Sequence, residues 1–445
     1  MLGQLFLKSG AATALAALCA FAAQAQGVPE TRVWLAPGAG ARVVAMIAAT
    51  PQVAQRYDPT QAKFTPDPQL VALGRQLFHD TRLSEPSGTS CASCHDPARA
   101  FGPDLRRGLR DAEKSPGTAL GSRAGQFGQR AAPSLLYARY VPRRYFYQDD
   151  DALVPSFFGG LMVDAGSDSL AEQVSAPLLN PREMNNRSAA NLLVRLRRNG
   201  VAQMLVPRFG EKVRSDPKAL LDALGASLQA YLQSDELSPF TSKFDRFIRG
   251  QGNLDVAELR GLALFKNPDK GNCASCHTVS ETASRPERSL FTDFGYEALA
   301  APRNKRLVEN RNPRHFDNGL CETAKKLKWP EPGQWCGYVR TPGLRNAAIR
   351  QSFMHNGSLS SLREVMEFYN TRGTDPVRWF GKSGTFDDLA PEFHDNVNVN
   401  SPPLNRKPGS AAALSDTDID DLVSFLRTLT DERYVALMPP APQRR

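Results

Sequence analysis

The chain has 445 residues, 41% of them hydrophobic and 8% aromatic, with 33 Pro and 33 Gly. Such a length can hold two cores, and such a hydrophobic content excludes a disordered chain. The net charge is +9, yet no dense Lys/Arg run marks a nucleic-acid face, so nucleic acid is not an expected partner.

The N-terminus reads "MLGQLFLKSGAATALAALCAFAAQAQG". Lys8 supplies a charged start, Ala11 to Ala23 an apolar stretch, and "AQA" a small-residue cleavage site. This pattern predicts a signal peptide over 1–25 and an exported, periplasmic protein. An extension over 26–65 follows. Of seven cysteines, loss of Cys19 leaves six (7 − 1). In an oxidising compartment the default use of cysteine is the disulfide, and Cys321 and Cys336 bracket a short loop suited to one.

Leu70, Leu73, Leu77 and Phe78 recur at helical spacing in "LVALGRQLFHD", and "SGTSCASCHDPARAF" comes next. Further on, Leu220, Leu221, Leu224, Leu228 and Tyr231 share one face of a predicted helix. The short, polar "IRGQGNL" marks a boundary, giving domains over 66–248 and 249–435. The second half opens with "VAELRGLALFKN", in which Leu254, Leu259, Leu262 and Phe265 follow helical spacing more loosely, and then "KGNCASCHTVS". Both helices contain G-x-x-L-F, as Gly74 to Phe78 and Gly261 to Phe265, so the unit is duplicated. A last helix has Ser415 as N-cap, Asp418 three residues on, and Ile419, Leu422, Val423 and Leu426 on one face. No run alternates like a strand. The expected fold is all-α.

"CASCH" stands at Cys91–His95, with its copy ending at His277, 182 positions later (277 − 95). Two cysteines three apart can add their thiols to the two vinyl groups of one haem, and the adjoining histidine then ligates the iron. A redox dithiol leaves the histidine unexplained. Zinc ribbons separate their pairs by about 15–20 residues. The spacing therefore predicts two haem c groups, on Cys91, Cys94 and His95 and on Cys273, Cys276 and His277, one in each of two cytochrome c-like domains.

With these motifs, "LGRQLFHDTRLS", "SLAEQVSAPLLNPREM" and "RTPGLRNAAIRQSFMHNGSLSSLREVMEFY" resemble the bacterial di-haem cytochrome c peroxidase and MauG family over about residues 66 to 432. The resemblance implies hydrogen peroxide as substrate at the N-terminal haem, with electrons arriving through the C-terminal haem from a small soluble donor protein. It implies Glu183 as the catalytic proton carrier and Gln173 and Pro177 as residues of the distal pocket. A carboxylate shielded from water near iron would have a raised pKa and could move protons near neutral pH. The bland alternative makes "LNPREM" a helix start, with Glu183 near the positive end of the dipole. The resemblance also implies that His355 organises the pocket without binding iron. Fourteen residues beyond it, Tyr369 stands where ordinary members have a methionine ligand to the C-terminal haem and MauG has a tyrosine. Met366 is the rival ligand, and Tyr369 as a core residue is the bland reading.

Several positions depart from the family. Residues 108–130 contain neither His nor Met, so no family-type histidine blocks the N-terminal haem; His79 reads as structural. Val163 stands where the family has a tryptophan between the haems, which speaks against a MauG-like enzyme that oxidises a partner protein; Tyr369 speaks for one. Ala131 replaces an asparagine ligand of the family's interdomain calcium ion, and Arg350 adds positive charge near the carbonyls that remain, so calcium stays open. A di-haem electron carrier without catalysis is the alternative from another class, and Glu183 argues against it. The oligomeric state is not legible.

Overall fold

The computed structural model describes residues 55–109, 115–149, 155–281 and 285–441, which belong to one compact unit. The expected signal peptide and residues 26–54 of the extension lie outside the described residues. No helix among the described residues is long and apolar enough to cross a membrane.

The chain runs α1 (Pro68–Phe78), α2 (Cys91–Cys94), β1 (Tyr145–Tyr147), β2 (Ser156–Phe158), α3 (Leu170–Gln173), α4 (Ser175–Leu179), α5 (Ala189–Arg198), α6 (Val201–Phe209) and α7 (Pro217–Leu232). It continues with α8 (Lys243–Ile248), α9 (Val256–Lys266), β3 (Tyr296–Glu297), α10 (Leu320–Lys326), β4 (Val339–Arg340), α11 (Leu362–Thr371), α12 (Pro376–Phe380) and α13 (Asp416–Arg427). The protein is mainly helical, as its apolar spacing implies. Its two antiparallel pairs, β1–β2 and β3–β4, span three and two residues per strand, too short for alternation to show in sequence.

The long helices start where side chains satisfy their free amides. Asp67 caps α1 and Asp216 caps α7, each followed by Pro at the first position. Asp255 with Glu258, and Ser415 with Asp418, form capping boxes on α9 and α13. The looser apolar spacing of α9 has a cause: Leu254 precedes the helix, and Leu259 is 45% exposed.

The duplication extends to atomic packing. Gly74 of α1 lies against α7, where an added Cβ would run into the Ser227 carbonyl; Gly261 of α9 meets the Asp421 carbonyl of α13 in the same way. Beside each glycine an aromatic pair closes the contact, Phe78 on Tyr231 and Phe265 on Phe425, both at 5.3 Å between ring centroids. One core gathers around α1 and α7, the other around α9 and α13. The first also takes in Leu290, Phe294, Ile349 and Tyr434 from beyond the expected boundary. A third cluster packs Phe146 and Phe157 against Trp329 and Trp335. Cys321 and Cys336 are joined by a disulfide that closes the loop carrying both tryptophans.

Where the two halves meet, backbone lies on backbone. A Cβ on Gly117 would strike the Gly357 carbonyl, and one on Gly357 would strike that of Gly117; both have positive φ, +85° and +71°. Arg130 donates to Asp164 at 2.7 Å and grips both oxygens of Asp317 at 2.7 Å. Arg345 pairs with Asp245, both fully buried, at 2.8 and 2.9 Å.

Candidate active site

Each CASCH motif is one tight turn. Cys91–Cys94 forms α2, held by reciprocal bonds between Ser90 and Ser93, and Cys273–Ser275 forms a 3-10 turn. In both, the histidine amide bonds to the first cysteine's carbonyl, at 2.9 Å for His95 and 2.8 Å for His277. His95 Nδ1 lies 3.2 Å from the Phe101 carbonyl and 3.0 Å from that of Pro133. His277 Nδ1 lies 2.8 Å from the Phe291 carbonyl. A carbonyl only accepts, so Nδ1 carries the hydrogen and Nε2 keeps a lone pair for a metal. Phe101 and Phe291 pack on Tyr231 and Phe425 respectively, so the duplicated aromatic cores position both acceptors.

Burial holds both imidazoles neutral. It pushes His95 down to about 4, with the Arg350 charge acting the same way, and lowers His277 as well. Burial pushes the thiols of Cys91 and Cys273 up to about 12, and those of Cys94 and Cys276 up to about 11. A redox dithiol needs a lowered pKa, so these pairs do not suit thiol exchange. All four thiols are unpaired and half-buried. Among the described residues no three or more His, Cys, Asp or Glu are arranged to hold a metal ion, so the cysteine pairs are not gathered into a zinc site. The donors suit a tethered haem in each half: two thiols and a histidine with Nε2 free.

Glu183 sits in a turn after α4, not at a helix start. Its amide bonds to the Asn180 carbonyl at 3.1 Å, and its own carbonyl accepts from Ser122 at 2.7 Å. Gly121 passes so close that a side chain there would strike the carbonyls of Arg182 and Glu183. Thus residues 115–130, the described end of the stretch without His or Met, brace the Glu183 turn. Burial raises the Glu183 pKa, opposed by a hydrogen bond from Asn180 and by the Arg130 charge. The thiol of Cys94, raised chiefly by burial, also feels the Glu183 charge, which puts the carboxylate on the side of the first motif.

A second repeat, missed in the sequence, relates the opposing elements. Leu161 bonds to Ser167 at 2.7 Å, and Phe353 to Leu359 at 2.9 Å. Met162 and Met354 both have positive φ, 70° and 65°. Ser169 caps α3 and Ser361 caps α11. Glu172 and Glu364 reach back to the amides of Asp168 and Ser360 at 2.8 and 2.6 Å. The offset is 192 throughout (353 − 161, 361 − 169). It places Val163 opposite His355, and Pro177 opposite Tyr369 (369 − 177 = 192). The shared signal was Ser-Leu-x-Glu, too short to notice without the structure.

Tyr369 is half-buried on α11, and its hydroxyl has no hydrogen-bond partner among the described residues. Burial raises its pKa, and the sulfurs of Cys273 and Cys276 raise it further, so the phenol lies near the second motif. Met366 is buried in the core with Phe368. Pro177, within α4, accepts from the Met184 amide at 3.1 Å, and its ring offers no donor atom. Gln173 Nε2 lies 3.5 Å from Met162 Sδ. His79 caps the end of α1 with its ring against Phe78. His355 Nε2 is buried without a hydrogen bond, 3.6 Å from Asp388 and 3.8 Å from Asp317. Asp388 and Asp317, the latter held by Arg130, thus flank His355, a cluster the sequence did not suggest because its members are scattered along the chain.

Residues 68–253 match the family model described as di-haem cytochrome c peroxidase. A duplicated helical unit with a thiol–histidine turn in each copy fits that class, and the chain belongs to the di-haem cytochrome c peroxidase family. It is an enzyme, an oxidoreductase of the peroxidase kind. The methylamine utilization protein MauG of Paracoccus denitrificans is 34% identical over 380 residues, 84% of this chain and 91% of that protein. The cytochrome c peroxidase Ccp of Escherichia coli is 26% identical over 309 residues, 68% of this chain and 53% of that protein. The crystal structure of the diheme peroxidase BthA from Burkholderia thailandensis is 59% identical, with a TM-score of 0.85 over 88% of this chain and 93% of that one.

Proposed function

We propose that this protein is a periplasmic di-haem c peroxidase that reduces hydrogen peroxide in the pocket opposite His95, with electrons relayed through the site of His277. Each haem supplies an iron that exchanges electrons. Cys91 and Cys94, and Cys273 and Cys276, would tether the two groups, and His95 and His277 would ligate them. The observation that carries the reading is the pairing of Pro177 with Tyr369. At equivalent places, one half presents a ring without a donor, six residues before the half-buried Glu183, and the other presents a phenol. The first would offer an iron no ligand and leave Glu183 to serve the peroxide, and the second would offer it a phenol oxygen.

Glu183 would take the proton of the near peroxide oxygen and deliver it to the far one, so that the O–O bond breaks and one water leaves; two electrons and two further protons release the near oxygen as a second water. Its raised pKa suits both steps. Gln173 lines the pocket, and His355 holds the Asp317–Asp388 side of it. Residues 66–248 and 249–435 are the two haem-bearing domains, and residues 1–25 are removed on export. Mass spectrometry of the exported protein tests the reading: two haem additions are expected, one of them lost in Cys273→Ala/Cys276→Ala. A mass without haem, or a purified ferric protein with two low-spin irons, would overturn it. The similarity to MauG and the phenol of Tyr369 favour a second reading, in which the reductant is a partner protein whose residues are oxidised. Val163, in place of an aromatic bridge, weighs against it.

A further inference from the structure

The calcium ion implied by the family meets unsuitable surroundings here. Calcium takes 6–8 oxygen ligands, carboxylates prominent among them. The segments that would hold it are "RAAPS" and "IRQS". The first has Ala131 where the family has asparagine, and its amide is committed to the His355 carbonyl at 2.8 Å. Between the two segments lies the guanidinium of Arg350. Its Nη2 donates to the Ala132 carbonyl at 3.1 Å, and its Nε to the Ser352 carbonyl at 3.3 Å. Among the described residues no carboxylate pairs with it. It is half-buried, and burial pulls its pKa down only to about 10, so it stays cationic at neutral pH.

An arginine without an acid, bound by backbone carbonyls from both halves of the chain, is bonded as a cation in a carbonyl cage is bonded. We propose that the Arg350 guanidinium replaces the interdomain calcium ion and that the enzyme neither binds nor needs calcium there. The chemistry agrees on three counts. The guanidinium uses the oxygens a metal would need, it joins the two segments a metal would join, and its charge would repel a divalent ion at contact distance. A covalently attached cation also cannot dissociate, so the join holds whatever the calcium concentration.

The test uses the intact holoenzyme and reads calcium directly, so it stands apart from peroxidase activity. Metal analysis after EGTA dialysis, calorimetric titration with calcium chloride, and melting with and without EGTA are compared. Expected are no calcium uptake and a melting temperature unchanged within about 1 °C. In Ala131→Asn/Arg350→Ala, which restores an oxygen ligand and removes the built-in charge, calcium uptake and a calcium-dependent melting temperature are expected. Tight calcium binding by the native protein, or a fall in its melting temperature on chelation, overturns the proposal. So does a folded double variant that ignores calcium; should it not fold, the native titration decides alone.

Discussion

Pro177 and Tyr369 occupy one position of a duplicated unit and give it opposite chemistry. A phenol oxygen favours ferric iron and lowers the potential, whereas a thioether raises it. Tyr369→Met should therefore raise the reduction potential of the C-terminal site, and Tyr369→Phe should alter its low-spin paramagnetic resonance signal. If both leave that signal as it was, Tyr369 is not the ligand. At the other site, Glu183→Gln keeps shape but removes the proton carrier. Stopped-flow mixing should show reaction with peroxide slowed by about 10²–10⁴ with haem content unchanged. The Glu183 pKa is raised, so the carboxylate form that accepts the first proton grows as pH climbs through that value. The native rate should rise with pH and level off, and Glu183→Gln should lack this limb. The role proposed for Glu183 rests in the sequence on resemblance alone, because a lone carboxylate in a turn has no periodicity to announce it.

At the scale of elements, the motif turns and long helices were legible because caps, apolar spacing and the CASCH spacing are local signals. The Phe101 and Phe291 carbonyls that orient the histidines were not, because a backbone acceptor has no residue signature. The repeat linking α3 and α4 to α11 was hidden for another reason. Its copies share a cap and a glutamate but differ elsewhere, Val163 against His355 and Pro177 against Tyr369. Gly74 and Gly261 were visible as a repeated letter, yet their purpose is the approach of α7 and α13. Gly261→Ala must push α9 away from the Asp421 carbonyl of α13. Overpacking of this kind costs about 1–3 kcal/mol, and thermal melting should show it, while Gly252→Ala, whose Cβ would meet only the Arg246 side chain at 3.7 Å, should be neutral.

For the molecule as a whole, charge joins what sequence separates. Arg130 holds Asp164 and Asp317 together, and its charge keeps the Asp317 carboxyl far below the ordinary range. A lowered carboxyl pKa contributes stability above its unfolded value, and that stability is lost as pH falls towards the folded one. Arg130→Met would leave two partly buried carboxylates unpaired, at a cost of about 3 kcal/mol near neutral pH. Denaturant melts should show the loss shrinking in acid as the freed Asp317 carboxylate protonates. The facing backbones of Gly117 and Gly357 act differently from these charges. No side chain stands between them to rotate or repack, so the seam has no lubricant. On the proposed relay, an electron crossing between the halves would wait for no docking motion. Its transfer rate should not change when glycerol thickens the solvent, in contrast to a pair of carriers that must find each other by diffusion. A rate that fell in proportion to viscosity would mean that the halves part and re-engage in every turnover.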